Sequence, residues 1–126
     1  MNTIFKPVAA GFVCAALLIP SSICADTVTD WNELLDSVVP RYGGPQQQER
    51  ARAIVQIAVH DALNTVEPRY VTYADLAAAD PSASPDAAVA AAASEAMLGL
   101  LAPVADSPAK QAAIDAILAA FDTTVG

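Results

Sequence analysis

The sequence predicts an all-α protein of about four helices in a partial helical bundle, with no sheet. Three observations carry that expectation. Apolar residues recur at i, i+3, i+4 and i+7 in two separate stretches, Trp31, Leu34, Leu35 and Val38, then Ile114, Ile117, Leu118 and Phe121. Two Ser-Pro steps, at Ser84 and Ser107, each stand ahead of an alanine-rich run, which is how a capped helix with proline in its first turn begins. No alternation of period two, the mark of a half-buried strand, appears anywhere in the chain.

Residues 1–25 are set apart first. Lys6 gives a positive start, residues 8–19 form an apolar run of 12 residues, and Ile23 and Ala25 stand at positions −3 and −1 of a cut before Asp26. That is the layout of a secretory signal peptide. Twelve apolar residues are too few for a bilayer core of about 30 Å, which takes about 20. The expectation is a leader over 1–25, an exported protein (periplasmic or secreted), and one helical domain over 26–126. Both cysteines, Cys14 and Cys24, would leave with the leader, so no disulfide is expected in the remainder.

The full chain carries a net charge of −8; without Lys6, five basic residues face fourteen acidic ones, giving −9. Such a surface repels nucleic acid and anionic membrane, so neither is an expected partner. A domain of about 100 residues buries somewhat over ~60% of its unfolded surface, which makes for a small core.

The first helix is expected over 27–39. Thr27 or Thr29 would cap it, Asp30 and Glu33 suit the positive end of the helix dipole, and Pro40 stops it. Its apolar face holds Trp31 as a core anchor. Residues 41–45, RYGGP, read as a linker turn. Gly43-Gly44 lacks the further glycines, the lysine and the preceding strand of a phosphate loop.

The second helix, from Pro45 or Gln46 to Val66, is where the chain concentrates its polar chemistry. It holds Arg50, Arg52, Asp61, Asn64 and the single histidine, His60. Ala51, Ile54, Val55, Ala58, Ala62 and Thr65 form its expected buried stripe, with Ile57 and Val59 widening it. A helix apolar over so much of its circumference is expected at the centre of its domain. Glu67-Pro68 ends it, and a loop bearing Tyr70 and Tyr73 follows. After a second loop over 80–86, a third helix is expected over 86–101, small-sided and in the core, closed by Pro103. The fourth runs from Ser107-Pro108 to about Phe121, with 122–124 just beyond it.

The candidates for chemistry are few. His60 and Asp61 would suggest acid–base work, but adjacent helical residues project about 100° apart, so the two are not expected to act together. A metal site needs three or four convergent ligands, and 26–126 offer one histidine and scattered acids. Arg52 is expected to pair with Asp61 or with an acid on another helix, and Arg50 to point elsewhere. Tyr70 and Tyr73 are expected to pack on a helix end. No catalytic, cofactor-binding or metal-ligating residue is assigned, and His60 is expected to be a structural contact.

Three segments nevertheless resemble a known family. They are VTDWN (28–32), ARAIVQIAVHDALNTVEPRYVTY (51–73) and ASPDAAVAAAASEAMLGLLAP (83–103). In order and spacing they are similar to the N-terminal helical region of bacterial vanadium-dependent haloperoxidase-like proteins. That family shares a superfamily with type 2 phosphatidic acid phosphatases. Ser94 stands where many relatives have histidine.

The resemblance implies a helical scaffold that precedes a catalytic half. In the family that half supplies a Lys with an Arg-Pro, a Pro-Ser-Gly-His segment, and a later Arg with the catalytic histidine. Here the only look-alike, Pro81-Ser82-Ala83-Ser84, has Ala for Gly and Ser for His. The resemblance therefore implies vanadate or phosphate as cofactor for the full-length family and none for this chain. The implied partner is the missing C-terminal catalytic bundle, or a second copy through exposed apolar helix faces. The competing expectation is a free-standing periplasmic helical interaction module, with a complete small hydrolase built on His60 and Asp61 as the third.

Overall fold

A computed structural model of the protein describes residues 23–80 and 82–126. These residues form four α-helices and no strand: α1 (Ile23–Val38), α2 (Pro45–Val66), α3 (Pro85–Leu101) and α4 (Pro108–Val125). A 3₁₀ turn, Val39–Tyr42, joins α1 to α2. The expected leader lies outside the described residues, apart from its last three, which belong to α1.

The expected face of α1 is the one that packs: Trp31, Leu35 and Val38 are buried and Leu34 lies against them. Its start differs. The helix begins a turn before Thr27, so neither Thr27 nor Thr29 is its N-cap. Thr27 Oγ1 instead donates to Asp86 Oδ1 at 2.7 Å, tying α1 to the first turn of α3. Pro40 ends α1 by turning the chain into the 3₁₀ turn, so Arg41 and Tyr42 are part of an element rather than of a linker. The turn buries Val39 and brings the Tyr42 hydroxyl to the Met97 carbonyl at 3.4 Å. Burial there pushes the Tyr42 pKa up to about 12. Gly43, at φ +122°, then reverses the chain in a conformation that a side chain would strain.

Proline and serine set the remaining helix starts. Pro45, Pro85 and Pro108 each occupy the first turn, where a missing N–H costs nothing. Ser84 Oγ accepts from the Ala87 N–H and Ser107 Oγ from the Lys110 N–H, at 3.3 and 3.1 Å. At its far end α4 continues through 122–124, which the sequence placed beyond the helix. The hydroxyls of Thr123 and Thr124 donate to the carbonyls of Ala119 and Ala120, so these residues cap no turn of their own.

The centre of the domain is α3, not α2. It packs against α1, α2 and α4, whereas α2 leans mainly on α3 and the 3₁₀ turn. Small residues explain this. Ala90 and Ala93 are fully buried and let neighbouring backbones approach, while Val89, Met97 and Leu101 fill the gaps between them. With Trp31, Leu35, Val55 and Ile117 these form one contiguous core. On α2 the buried row is Ala51, Val55 and Val59, one residue per turn. Ala51 and Val55 of the expected stripe, with Val59 beside it, are thus buried as expected, whereas Ile54, Ala58, Ala62 and Thr65 are only half-buried and Ile57 is exposed, so the true contact is narrower than the expected one.

Candidate functional site

The C-terminal turns of α2 hold the two buried polar residues of that helix, Asp61 and Asn64. Both face the chain that follows. From Glu67 to Ala79 the backbone folds back along the helix without secondary structure of its own, a strap whose N–H groups need partners. Asn64 Oδ1 accepts from the Arg69 and Tyr70 N–H groups at 3.2 and 2.8 Å, and its Nδ2 donates to the His60 carbonyl at 2.7 Å. One helical turn earlier, Asp61 Oδ1 accepts from the Tyr73 N–H and Asp61 Oδ2 from the Ala74 N–H, both at 2.9 Å. A last bond, from the Ala79 N–H to the Thr65 carbonyl at 2.9 Å, closes the strap.

His60 adds to this clamp. Its Nδ1 lies 3.0 Å from Asp61 Oδ1. Because a carboxylate only accepts, Nδ1 carries the proton in this contact. The two side chains therefore do meet. The Cα–Cβ directions do diverge, but side-chain torsions bring the imidazole edge back to the carboxylate. The ring also sits against Tyr70 and Tyr73, with centroids 6.2 and 5.6 Å away and Tyr73 edge-on. The tyrosines themselves are largely exposed rather than packed into a helix end.

The charge state of Asp61 follows from these neighbours. Burial alone would raise its pKa. The Tyr73 and Ala74 N–H donors, with the His60 hydrogen bond and charge, outweigh burial and hold the carboxyl below its ordinary value. A carboxylate so held is a poor base, and its oxygens are committed to the strap. The arrangement positions the backbone of the strap.

Three of the five cations among the described residues, Arg52, Arg69 and Lys110, are engaged as well, while Arg41 and Arg50 are exposed. Arg52 bonds Asp36 of α1 and Glu49 at 3.0 and 3.1 Å, so its partner is an acid on another helix and not Asp61. Arg69 pairs with Glu67, and Lys110 with Asp106 and the Val104 carbonyl. In the phosphate-site look-alike, the Ser82 N–H and hydroxyl both donate to Asp80 Oδ1, and Ser84 caps α3. These donors hold the Asp80 carboxyl below its usual range, so an acid already fills the turn. Ser94, buried on α3, donates to the Ala91 carbonyl within its own helix. No cluster of three or more His, Cys, Asp or Glu able to hold a metal occurs among the described residues.

Beside the clamp runs an open apolar groove of about 580 Å³ between α2 and the strap, with Ala92 of α3 at its base. Sequence reasoning missed this feature. Four of the six residues it assigned to the core stripe of α2, Ile54, Ala58, Ala62 and Thr65, line the groove instead. No family model, curated protein or solved structure matches the chain.

Proposed function

We propose that this chain is the exported helical scaffold portion of a vanadium-dependent haloperoxidase/acid phosphatase-like protein. It organises a helical framework and is inactive on its own, and a catalytic bundle outside these residues supplies any oxyanion chemistry. The observation that carries this reading is the use made of the polar residues in the segment with the strongest resemblance. Asp61 and Asn64 direct their side chains to the backbone of the strap, and His60 packs on it. An oxyanion of charge −2 or −3 needs convergent cations and backbone donors. Here Arg52, Arg69 and Lys110 are bound to acids at separate places.

Calorimetric titration of the purified protein with orthovanadate and with inorganic phosphate tests the proposal. No heat of binding is expected at micromolar protein. Saturable micromolar binding would overturn the claim of inactivity.

A second reading, the free-standing periplasmic interaction module, is favoured by one observation. The core from Trp31 to Ile117 draws on all four helices and is contiguous. A cooperative thermal transition of the isolated monomer supports that reading. A broad transition accompanied by dye binding, as in a molten globule, counts against it.

A further inference from the structure

The groove beside the strap is built, not left over. One wall is α2 from Ile54 to Thr65, a length of about 16 Å or three helical turns. The other wall is the strap at Ala74 and Leu76. That second wall is fixed at three points: by Asn64 on Arg69 and Tyr70, by Asp61 on Tyr73 and Ala74, and by Thr65 on Ala79. The clamp thus holds the strap beside α2 with large apolar side chains of both walls left in water. Ile57 and Leu76 at the rim are 40% and 49% exposed, and Val71 further along the strap is 90% exposed. A rigid wall presenting apolar groups lowers the ordering cost of binding. A contiguous patch of this kind marks an interaction surface.

The occupant follows from shape and charge. An open trough three turns long, walled by a helix and apolar at its base, fits the apolar stripe of another helix. Among the described residues, the only charged one lining it is Asp61, held ionised by its N–H donors, and the strap adds Asp75 between Ala74 and Leu76. With the chain at −8, a second copy is repelled and a basic partner attracted. We propose that this groove is the docking site for an amphipathic helix with an aliphatic stripe flanked by lysine or arginine, supplied by a partner other than a second copy of this chain. The inference is independent of the haloperoxidase-like reading, since it rests on the groove alone.

The test uses the full chain and two fluorescein-labelled synthetic peptides with the same leucine stripe at i, i+3, i+4 and i+7. One carries lysines on its flanks and the other glutamates. Binding is read by fluorescence anisotropy at moderate salt, with Ile57→Gln and Leu76→Gln in the groove and Leu118→Gln on α4 as the control. All three positions are exposed, and the neutral substitutions leave the charge unchanged. Circular dichroism checks folding, and either groove variant suffices if the other misfolds.

The expected result is saturable binding of the Leu/Lys peptide, weakened about tenfold by each groove variant and unchanged by Leu118→Gln. The Leu/Glu peptide should bind about tenfold more weakly than its lysine counterpart. Three results overturn the proposal. They are equal loss across all three variants or none, equal binding of the two peptides, and a wild-type dimer in sedimentation equilibrium that Ile57→Gln dissociates.

Discussion

Replacing Asn64 by alanine removes three hydrogen bonds at once, from Arg69 N, from Tyr70 N and to the His60 carbonyl. A net hydrogen bond contributes about 1 kcal/mol. The His60 bond counts for less, because a helical carbonyl has an intrahelical partner as well. Arg69 and Tyr70 are exposed, so water can replace part of what their N–H groups lose. The expected loss is therefore about 2 kcal/mol, felt first by the strap and not by the core. Native-state hydrogen exchange followed by NMR resolves the two. Exchange of the Tyr70, Tyr73, Ala74 and Ala79 amides should accelerate about 30-fold, the equivalent of about 2 kcal/mol at 1.4 kcal/mol per tenfold. Amides of Met97 and Leu101 in α3 should keep their rates. A uniform acceleration, or none in the strap, would refute the view that Asn64 acts by pinning this segment.

Asp61 gives the same clamp a pH dependence. Its folded pKa lies below the unfolded value, so its contribution is present above about pH 4 and is lost as pH falls through the folded pKa. Amide shifts of Tyr73 and Ala74 in an acid titration should move toward random-coil positions while α3 resonances stay, and Asp61→Asn should abolish that step. In the core, Ile117→Ala is expected to cost about 2–5 kcal/mol, whereas its neighbour Leu118→Ala, which is exposed, should stay within about 0.5 kcal/mol in urea denaturation. Ser84→Ala and Ser107→Ala should each cost about 1 kcal/mol by the same assay. Arg52→Ala should cost at most about 1 kcal/mol and less at high salt, because its pairs with Asp36 and Glu49 are solvent-exposed.

The starts of α3 and α4 were legible, unlike that of α1, because their determinants are local. A serine followed by proline fixes its own backbone and the first free N–H groups, whatever the rest of the chain does. The i, i+3, i+4, i+7 face around Trp31 was legible for the same reason: one narrow stripe leaves one way to bury it. On α2 the apolar residues cover too much of the surface for the sequence to choose among faces. Tertiary packing chose Ala51, Val55 and Val59 and left Ile57 in water. The hub role of α3 was hidden by alanine, which is apolar on every side and points to no neighbour.

The clamp is the instructive case. Asp61 and Asn64 were visible as polar residues one turn apart, and the segment after Pro68 was visible as backbone without a ladder. Joining the two requires asking where the strap's N–H groups find acceptors, and that question alone could have pointed to them. The meeting of His60 with Asp61 was beyond reach of helical angles, because torsions at the side chains, not projection from the axis, bring Nδ1 to Oδ1.

Asp61 and Asn64 of α2 hold the backbone of the strap. Scalar couplings transmitted through hydrogen bonds test it most directly, in a long-range experiment correlating amide nitrogens with side-chain carboxyl and carboxamide carbons. Cross-peaks are expected from the Tyr73 and Ala74 amides to Asp61 Cγ and from the Tyr70 amide to Asn64 Cγ. Absence of these couplings, with the same amides exchanging freely with water, would contradict it.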